Sequence, residues 1–171
     1  VAMNADYYAF RDFGIVVYNR TLYRFNTSTY TGDYKKYNCV ETMFVTTDGD
    51  FLYKRLKEEN TEESIRQFVE ENDILFSLSF GPVLVENGEA LSCSWYPAGE
   101  VDVAYSRAGI GMTEKLHYLY MTVNHGKNAA NCTVNKMAEF FAQKGVVTAF
   151  GLDGGQTSEI VWRGSPYNHV D

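Results

Sequence analysis

The chain has 171 residues, of which 45% are hydrophobic and 22% charged, so it can bury one continuous core, and a mainly disordered chain is excluded. Its net charge of −7 at pH 7 argues against nucleic acid or an anionic membrane as a general partner, because phosphate groups would be repelled. No run of about 18 apolar residues is present, so no membrane-spanning helix is predicted.

Two pairs of short apolar segments in the first third of the chain predict β-hairpins. The strands are residues 13–18 with 21–25, and residues 40–46 with 51–56. Polar pairs join them: Asn19-Arg20 in the first hairpin and Asp48-Gly49 in the second. Asp-Gly is the stronger signal, because both residue types accept the positive φ angles of a two-residue hairpin turn.

The middle of the chain predicts a helix followed by extended segments. A capping-box pattern at residues 60–63 precedes apolar residues at helical spacing, so a helix is expected over 61–71. Extended segments follow at 74–79 and 82–85, with Gly81 between them and an Asn87-Gly88 turn after them. Residues 92–105 match no regular pattern and are interpreted as a loop that lines a site.

The last third predicts a further strand pair and a second helix. Residues 107–112 and 116–123 pair across a polar turn. Thr133 caps a helix that Gly145 ends, and its core-facing residues are Met137, Phe140 and Phe141. Hairpins combined with helices between strands favour an α+β fold with a mixed, mainly antiparallel sheet, in a single domain over residues 1–171.

A polar turn, residues 152–158, follows a predicted buried strand over 146–152. It carries one carboxylate, two glycines and two hydroxyls: Asp153, Gly154, Gly155, Thr157 and Ser158. Glycines let the backbone approach a ligand closely, and hydroxyls can donate to an oxyanion or a sugar. Asp-Gly is also a common turn signal, so the residues alone leave an ordinary turn and a ligand site both open.

Four motifs, in order along nearly the whole chain, resemble the phosphodiester glycosidase family. They are NADYY at 4–8, FGPVLV at 80–85 with Asn87-Gly88, SRAGIG at 106–111, and the stretch 135–155 that ends in Leu152-Asp153-Gly154-Gly155. The resemblance implies a glycosidase that hydrolyses a sugar-1-phosphodiester linkage, with N-acetylglucosamine as the expected sugar. It also implies a secreted or cell-surface protein that acts on extracellular glycans such as exopolysaccharides.

The resemblance gives two residues a role at the reacting bond. Arg107 is expected to bind the phosphate, because a guanidinium can hold two oxygens at once; the alternative is a surface ion pair with Asp102 or Glu100. Asp153 would face the developing oxocarbenium ion, either as an electrostatic stabiliser or as a nucleophile. The sequence leaves that choice open.

His125 is the third catalytic candidate, since it stands where the family commonly has an aspartate. It could donate a proton to the leaving phosphate or bind it as a cation, and the alternative is a solvated turn residue. The expected substrate-binding residues are Asn4, Asp6, Gly81, Asn124, Gly154, Gly155, Thr157 and Ser158. For Asp6, a strand-end carboxylate that bonds its own backbone is the alternative. No spacing demands a metal, and no cofactor is expected.

Three residues depart from the family motifs at places where backbone would meet a ligand. Ala5 replaces a glycine, Ala108 a threonine and Gln156 the third glycine of the turn. These changes keep a second hypothesis open, a non-catalytic extracellular glycan-binding module with the same fold. A structural domain of a larger surface protein is a third.

The cysteine and tyrosine contents bear on two further properties, cross-linking or metal binding by cysteine and carbohydrate stacking by tyrosine. Cys39, Cys93 and Cys132 are odd in number and show no metal-ligand spacing, so neither a disulfide framework nor a zinc site is indicated, and one disulfide with a spare thiol stays open. The 13 tyrosines suit carbohydrate stacking, and equally suit alternation along half-buried strands.

Both ends of the chain resemble internal segments. Val1 lies in an apparent strand entry, and by resemblance a closing strand would follow Asp171. We therefore expect missing elements at one or both ends, and an open sheet edge near the strand that leads to Asp153. Such an edge would favour self-association or pairing with a partner chain.

Overall fold

Two helices and 13 mostly antiparallel strands form three sheets within the described residues, which confirms the predicted α+β class. The computed structural model describes residues 1–6, 12, 14–29, 31–32, 38, 40–55, 60–97, 101–124, 131–155 and 158–168. In chain order the elements are β1 (Ala2–Met3), β2 (Gly14–Tyr18), β3 (Thr21–Asn26), β4 (Glu41–Thr46), β5 (Phe51–Arg55), α1 (Glu62–Glu71), β6 (Ile74–Leu78), β7 (Val83–Glu86), β8 (Glu89–Ala90), β9 (Arg107–Glu114), β10 (His117–Val123), α2 (Val134–Gln143), β11 (Thr148–Leu152), β12 (Ile160–Trp162) and β13 (Ser165–Pro166).

The chain forms two compact units. The hairpin unit consists of Tyr7–Gly81 with Pro97–Gly99, and the turn unit consists of Val1–Asp6, Pro82–Tyr96 and Glu100–Asp171. No helix within the described ranges is both long enough and apolar enough to cross a membrane.

The hairpin unit contains a five-stranded sheet in the order β3-β2-β6-β4-β5. Both predicted hairpins are confirmed, as β2 with β3 and as β4 with β5. Asn19 and Arg20 have φ angles of 48° and 63°, the positive values that a tight hairpin turn needs. Thr61 caps α1 and exchanges hydrogen bonds with Ser64, so the predicted first helix is confirmed. Its buried face packs with the strands in one apolar cluster: Ile15, Val17, Leu22, Phe44, Ile65, Val69 and Ile74.

The turn unit contains a five-stranded sheet in the order β10-β9-β11-β7-β8 and a small sheet in the order β1-β12-β13. The strand β11, which leads to Asp153, pairs with β9 on one side and with β7 on the other. The prediction of an open edge at this strand is therefore wrong, because residues 83–85, far earlier in the chain, supply the second row of hydrogen bonds.

Helix α2 packs on the five-stranded sheet of the turn unit through Val134, Met137, Ala138 and Phe141. The helix approaches closely because β9 presents glycine: a Cβ atom on Gly109 would lie 2.5 Å from the Met137 Cε. The predicted cap at Thr133 is confirmed. The prediction that Phe140 faces the core is wrong, since it lies beside the buried stripe and is 40% exposed.

Candidate functional site

The register between β9 and β11 brings two predicted site residues to one end of the sheet. The strands are antiparallel, and Leu152, the last residue of β11, pairs with Ala108, the second residue of β9. Arg107 immediately precedes Ala108, and Asp153 immediately follows Leu152. Strand pairing alone therefore places the start of the arginine motif beside the aspartate turn.

The turn after Asp153 packs directly on the backbone that carries Arg107. Gly155 donates its N–H to the Ser106 carbonyl over 3.1 Å. A Cβ atom on Gly154 would lie 2.7 Å from that carbonyl oxygen and 3.1 Å from the Arg107 Cα, so only glycine fits here without a backbone shift. Ser158 closes the turn, because its N–H and its hydroxyl both donate to the Gly155 carbonyl, over 3.1 and 2.9 Å.

The first residues of the chain border the same turn. Asp153 donates its N–H to the Ala5 carbonyl over 2.9 Å, and the Asn4 Oδ1 accepts the Glu159 N–H over 2.7 Å. The second of these bonds joins residues that are 155 positions apart in the sequence. The early motif and the aspartate motif are thus brought together, with the partly buried Asp6 next along the chain.

Two backbone carbonyls hold the partly buried guanidinium of Arg107. Its Nε donates to the Cys132 carbonyl over 3.2 Å, and its Nη2 donates to the Val103 carbonyl over 2.7 Å. Asp102, a predicted ion-pair partner of Arg107, accepts hydrogen bonds from the Ser94 hydroxyl and the Asn135 Nδ2. Glu100, the other predicted ion-pair partner, lies outside the described residues.

Asn135 on the first turn of α2 connects the segments that provide these carbonyls. Its Nδ2 donates to the Ser94 hydroxyl over 2.9 Å and to Asp102 over 3.3 Å, while its Oδ1 accepts the Cys93 N–H over 2.7 Å. Asp102 immediately precedes Val103, whose carbonyl bonds Arg107. The loop predicted to line a site therefore contacts Arg107 and is fastened to α2.

Asn124 and Asn168 join the end of β10 to the segment that follows the turn. The Asn168 Nδ2 donates to the Asn124 Oδ1 over 3.1 Å and to the Ser158 carbonyl over 2.8 Å. Its Oδ1 accepts the Ile160 N–H over 2.6 Å. Asn168 is a single asparagine near the end of the chain that belongs to no motif, so the sequence gives no signal for this role.

A buried hydroxyl lies directly beside Arg107 along the chain. Ser106 is fully buried, and within the described part of the chain its Oγ has no hydrogen-bond partner. The two described cysteines are not in a disulfide: Cys93 is buried and Cys132 is partly buried. Burial raises the pKa of the Cys132 thiol, against the opposing charge of Arg107, so this thiol is protonated at neutral pH.

Four further residues that the sequence singles out lie outside the described residues: His125, Thr157, Gln156 and Cys39. Gly81 is buried, has a φ angle of 91° and belongs to the hairpin unit. Among the described residues, no group of three histidine, cysteine or acidic side chains is arranged to hold a metal ion.

Comparisons with known proteins agree with the four motifs. A family model described as phosphodiester glycosidase matches residues 1–171. The fold is similar to zebrafish N-acetylglucosamine-1-phosphodiester alpha-N-acetylglucosaminidase, catalytic domain auto-inhibited by pro-peptide, with a TM-score of 0.69 and 18% identity. That match covers 97% of this chain and 54% of the zebrafish chain, so this chain spans about half of its length.

Two other comparisons add less. A hypothetical protein from Synechocystis has a TM-score of 0.49 and 14% identity, over 78% of this chain and 32% of the other. A search among curated protein sequences gives no significant match.

Proposed function

Because the chain belongs to the phosphodiester glycosidase family, we propose that it hydrolyses the bond between the anomeric carbon of a sugar and a phosphodiester oxygen. One observation carries this proposal. The β9–β11 register brings Arg107 beside Asp153, and Gly154 packs on the Arg107 backbone. A cation for the phosphate and a carboxylate for the anomeric carbon are thus provided by adjacent strand ends.

The chemistry of the leaving group explains why these two charges suffice. A phosphate monoester has a second pKa of about 6, so it departs at neutral pH with little protonation, unlike a sugar alkoxide. The need is then for charge stabilisation. Arg107 stabilises the negative charge on the departing phosphate, and Asp153 stabilises the positive charge on the sugar or attacks it as a nucleophile.

Further residues complete the proposed site. His125 either protonates the leaving phosphate or binds it as a cation. Residues of the turn and of the segments bonded to it bind the sugar hydroxyls and phosphate oxygens: Asn4, Asp6, Asn124, Gly154, Gly155, Thr157 and Ser158. We propose N-acetylglucosamine as the sugar, an extracellular or cell-surface glycan as the substrate, and a secreted or surface location for the protein.

Release of N-acetylglucosamine from an alkyl phosphodiester of N-acetylglucosamine 1-phosphate tests the function directly. We expect turnover of this substrate and no turnover of an aryl N-acetylglucosaminide of the same anomeric configuration, whose leaving group gives Arg107 no phosphate to bind. Equal hydrolysis of both compounds would indicate an ordinary glycosidase. If the phosphodiester is not hydrolysed, the proposed activity is overturned.

One feature favours a second candidate, a glycan-binding module without turnover. The Nε and Nη2 of Arg107 both donate to backbone carbonyls, so the guanidinium already has a structural role in holding the loop. Binding of N-acetylglucosamine 1-phosphate without release of sugar from the diester would support this second function over the first.

A further inference from the structure

The aromatic ring of Tyr105 lies near both Gly155 of the turn and the guanidinium of Arg107. Its Cε1 is 3.7 Å from the position that a Cβ atom on Gly155 would occupy. The Arg107 Cζ lies 5.9 Å from the centroid of the same ring. One edge of the ring thus borders the glycine turn, the guanidinium lies at its face, and the residue is partly exposed.

The backbone under this ring is held by a β-bridge to Cys132. Tyr105 and Cys132 exchange two backbone hydrogen bonds of 3.1 Å each. The Cys132 carbonyl also accepts the Arg107 Nε, so Tyr105 and Arg107 are fastened to the same residue. A ring that is held in place before a ligand arrives loses little conformational entropy on binding.

A sugar ring has one face of C–H groups and a rim of hydroxyls. The negative π face of an aromatic ring attracts such C–H groups, and stacking on that face removes them from water. In a sugar-1-phosphodiester the pyranose is joined directly to the phosphate, so a phosphate on Arg107 brings the pyranose next to the ring beside it. Gly155 places no side chain against the Cε1 edge of this ring.

We propose that Tyr105 binds the pyranose of the substrate by stacking, and that it sets a preference for sugars with an apolar C–H face. This assignment rests on the proposed function, since it takes the phosphate to be bound by Arg107. It gives one of the chain's 13 tyrosines the carbohydrate-stacking role that the composition suggests.

Titration of the folded protein with two ligands, N-acetylglucosamine 1-phosphate and inorganic phosphate, tests the assignment. We expect Tyr105→Leu to weaken binding of the sugar phosphate about tenfold, the equivalent of one aromatic contact, and to leave the affinity for inorganic phosphate within about twofold. Tyr105→Phe should bind both ligands as the parent does, because it keeps the ring. Tyr120→Leu is the matched control: it removes an exposed tyrosine of β10 that pairs with Ile110, three residues along β9 from Arg107.

The outcomes separate this inference from the function on which it rests. Unchanged sugar phosphate binding in Tyr105→Leu would overturn stacking, and an equal loss of both ligands would show that the ring only supports Arg107. Should Tyr105→Leu fail to fold, an intermolecular NOE between the assigned ring protons of Tyr105 and the sugar C–H protons decides, since stacking requires it and its absence would contradict the assignment. A parent that binds the sugar phosphate but hydrolyses no diester would overturn the enzymatic function alone.

Discussion

At the scale of single residues, Asp153 combines a backbone role with a proposed chemical one. Its N–H bonds the Ala5 carbonyl, a contact that any side chain at this position would keep. We therefore expect Asp153→Asn to fold as the parent does while losing about 10²- to 10³-fold in kcat, the cost of removing one preorganised electrostatic stabiliser. Steady-state kinetics with the sugar phosphodiester, alongside thermal unfolding, check this. Parent-like turnover in Asp153→Asn would remove this carboxylate from the mechanism.

Arg107 is expected to be irreplaceable by lysine. Its guanidinium spans the Val103 and Cys132 carbonyls through two different nitrogen atoms, and a single ammonium cannot reproduce that planar fork and also bind phosphate. Loss of one charge-assisted hydrogen bond, about 1.5–3 kcal/mol, predicts a decrease of roughly 10- to 100-fold in kcat/KM for Arg107→Lys. Inhibition by inorganic phosphate should weaken in parallel.

The exposed Arg163 provides the matched control for this measurement, since Arg163→Lys should leave both quantities unchanged. Parent-like kcat/KM and phosphate inhibition in Arg107→Lys would mean that the phosphate binds elsewhere.

At the scale of elements, helix α2 is bonded to the loop that holds the Arg107 guanidinium. Asn135 fastens the loop at Ser94 and Asp102, next to the Val103 carbonyl. Asn135→Ala should lower kcat/KM and weaken phosphate inhibition together, whereas Asn135→Asp keeps the acceptor for the Cys93 N–H and loses both donated bonds. An equal defect in both variants would assign the effect to the donated bonds.

Lys136→Ala, on the exposed face of the same turn, is the control for α2. Lys136 pairs with Glu139 over 2.7 Å, and an exposed pair of this kind contributes little to stability. If Asn135→Ala changed only the unfolding temperature and left phosphate inhibition as in the parent, Asn135 would be a structural residue of the loop and not a positioning residue for Arg107.

The sequence could predict the elements that neighbouring residues determine, and it could not predict those that depend on pairing between distant segments. Hairpins and helix caps are local: Asn19 is a residue type that accepts the positive φ of a tight turn, and Thr61 bonds a residue of its own first turn. Strands β1, β12 and β13 have two or three residues each, too few for a periodic pattern. The central position of β11 depends on its pairing with β7, which lies more than a third of the chain away, and no local pattern records such a pairing.

The site residues divide in the same way, into those that a motif identifies and those that act through contacts between separate segments. Asp153, Gly154 and Arg107 stand in motifs, so the sequence could select them. Tyr105 and Asn168 act through contacts between separate segments, and a lone tyrosine or asparagine gives no signal for such contacts. Asn135 stands in a motif stretch, but its bond to the Cys93 N–H, 42 residues away, is not encoded there. The hydroxyl of Ser158, a predicted ligand donor, donates in the structure to Gly155 within the turn itself.

At the scale of the whole molecule, a net charge of −7 opposes an anionic substrate at a distance, while Arg107 attracts it at contact. Salt screens these two effects differently. The Debye length falls from about 30 Å at 0.01 M to about 8 Å at 0.15 M, so the repulsion between distant charges is strongly reduced. The contact with the partly buried Arg107 is screened much less. The long-range repulsion should therefore weaken first, and encounter with the substrate should become faster.

We expect kcat/KM for the sugar phosphodiester to rise between about 0.01 M and 0.15 M sodium chloride. Titration of an uncharged N-acetylglucosamine glycoside should give an affinity that does not change over the same range. A steady fall of kcat/KM with salt would instead mean that a positive local field, larger than Arg107 alone provides, dominates the approach to the site.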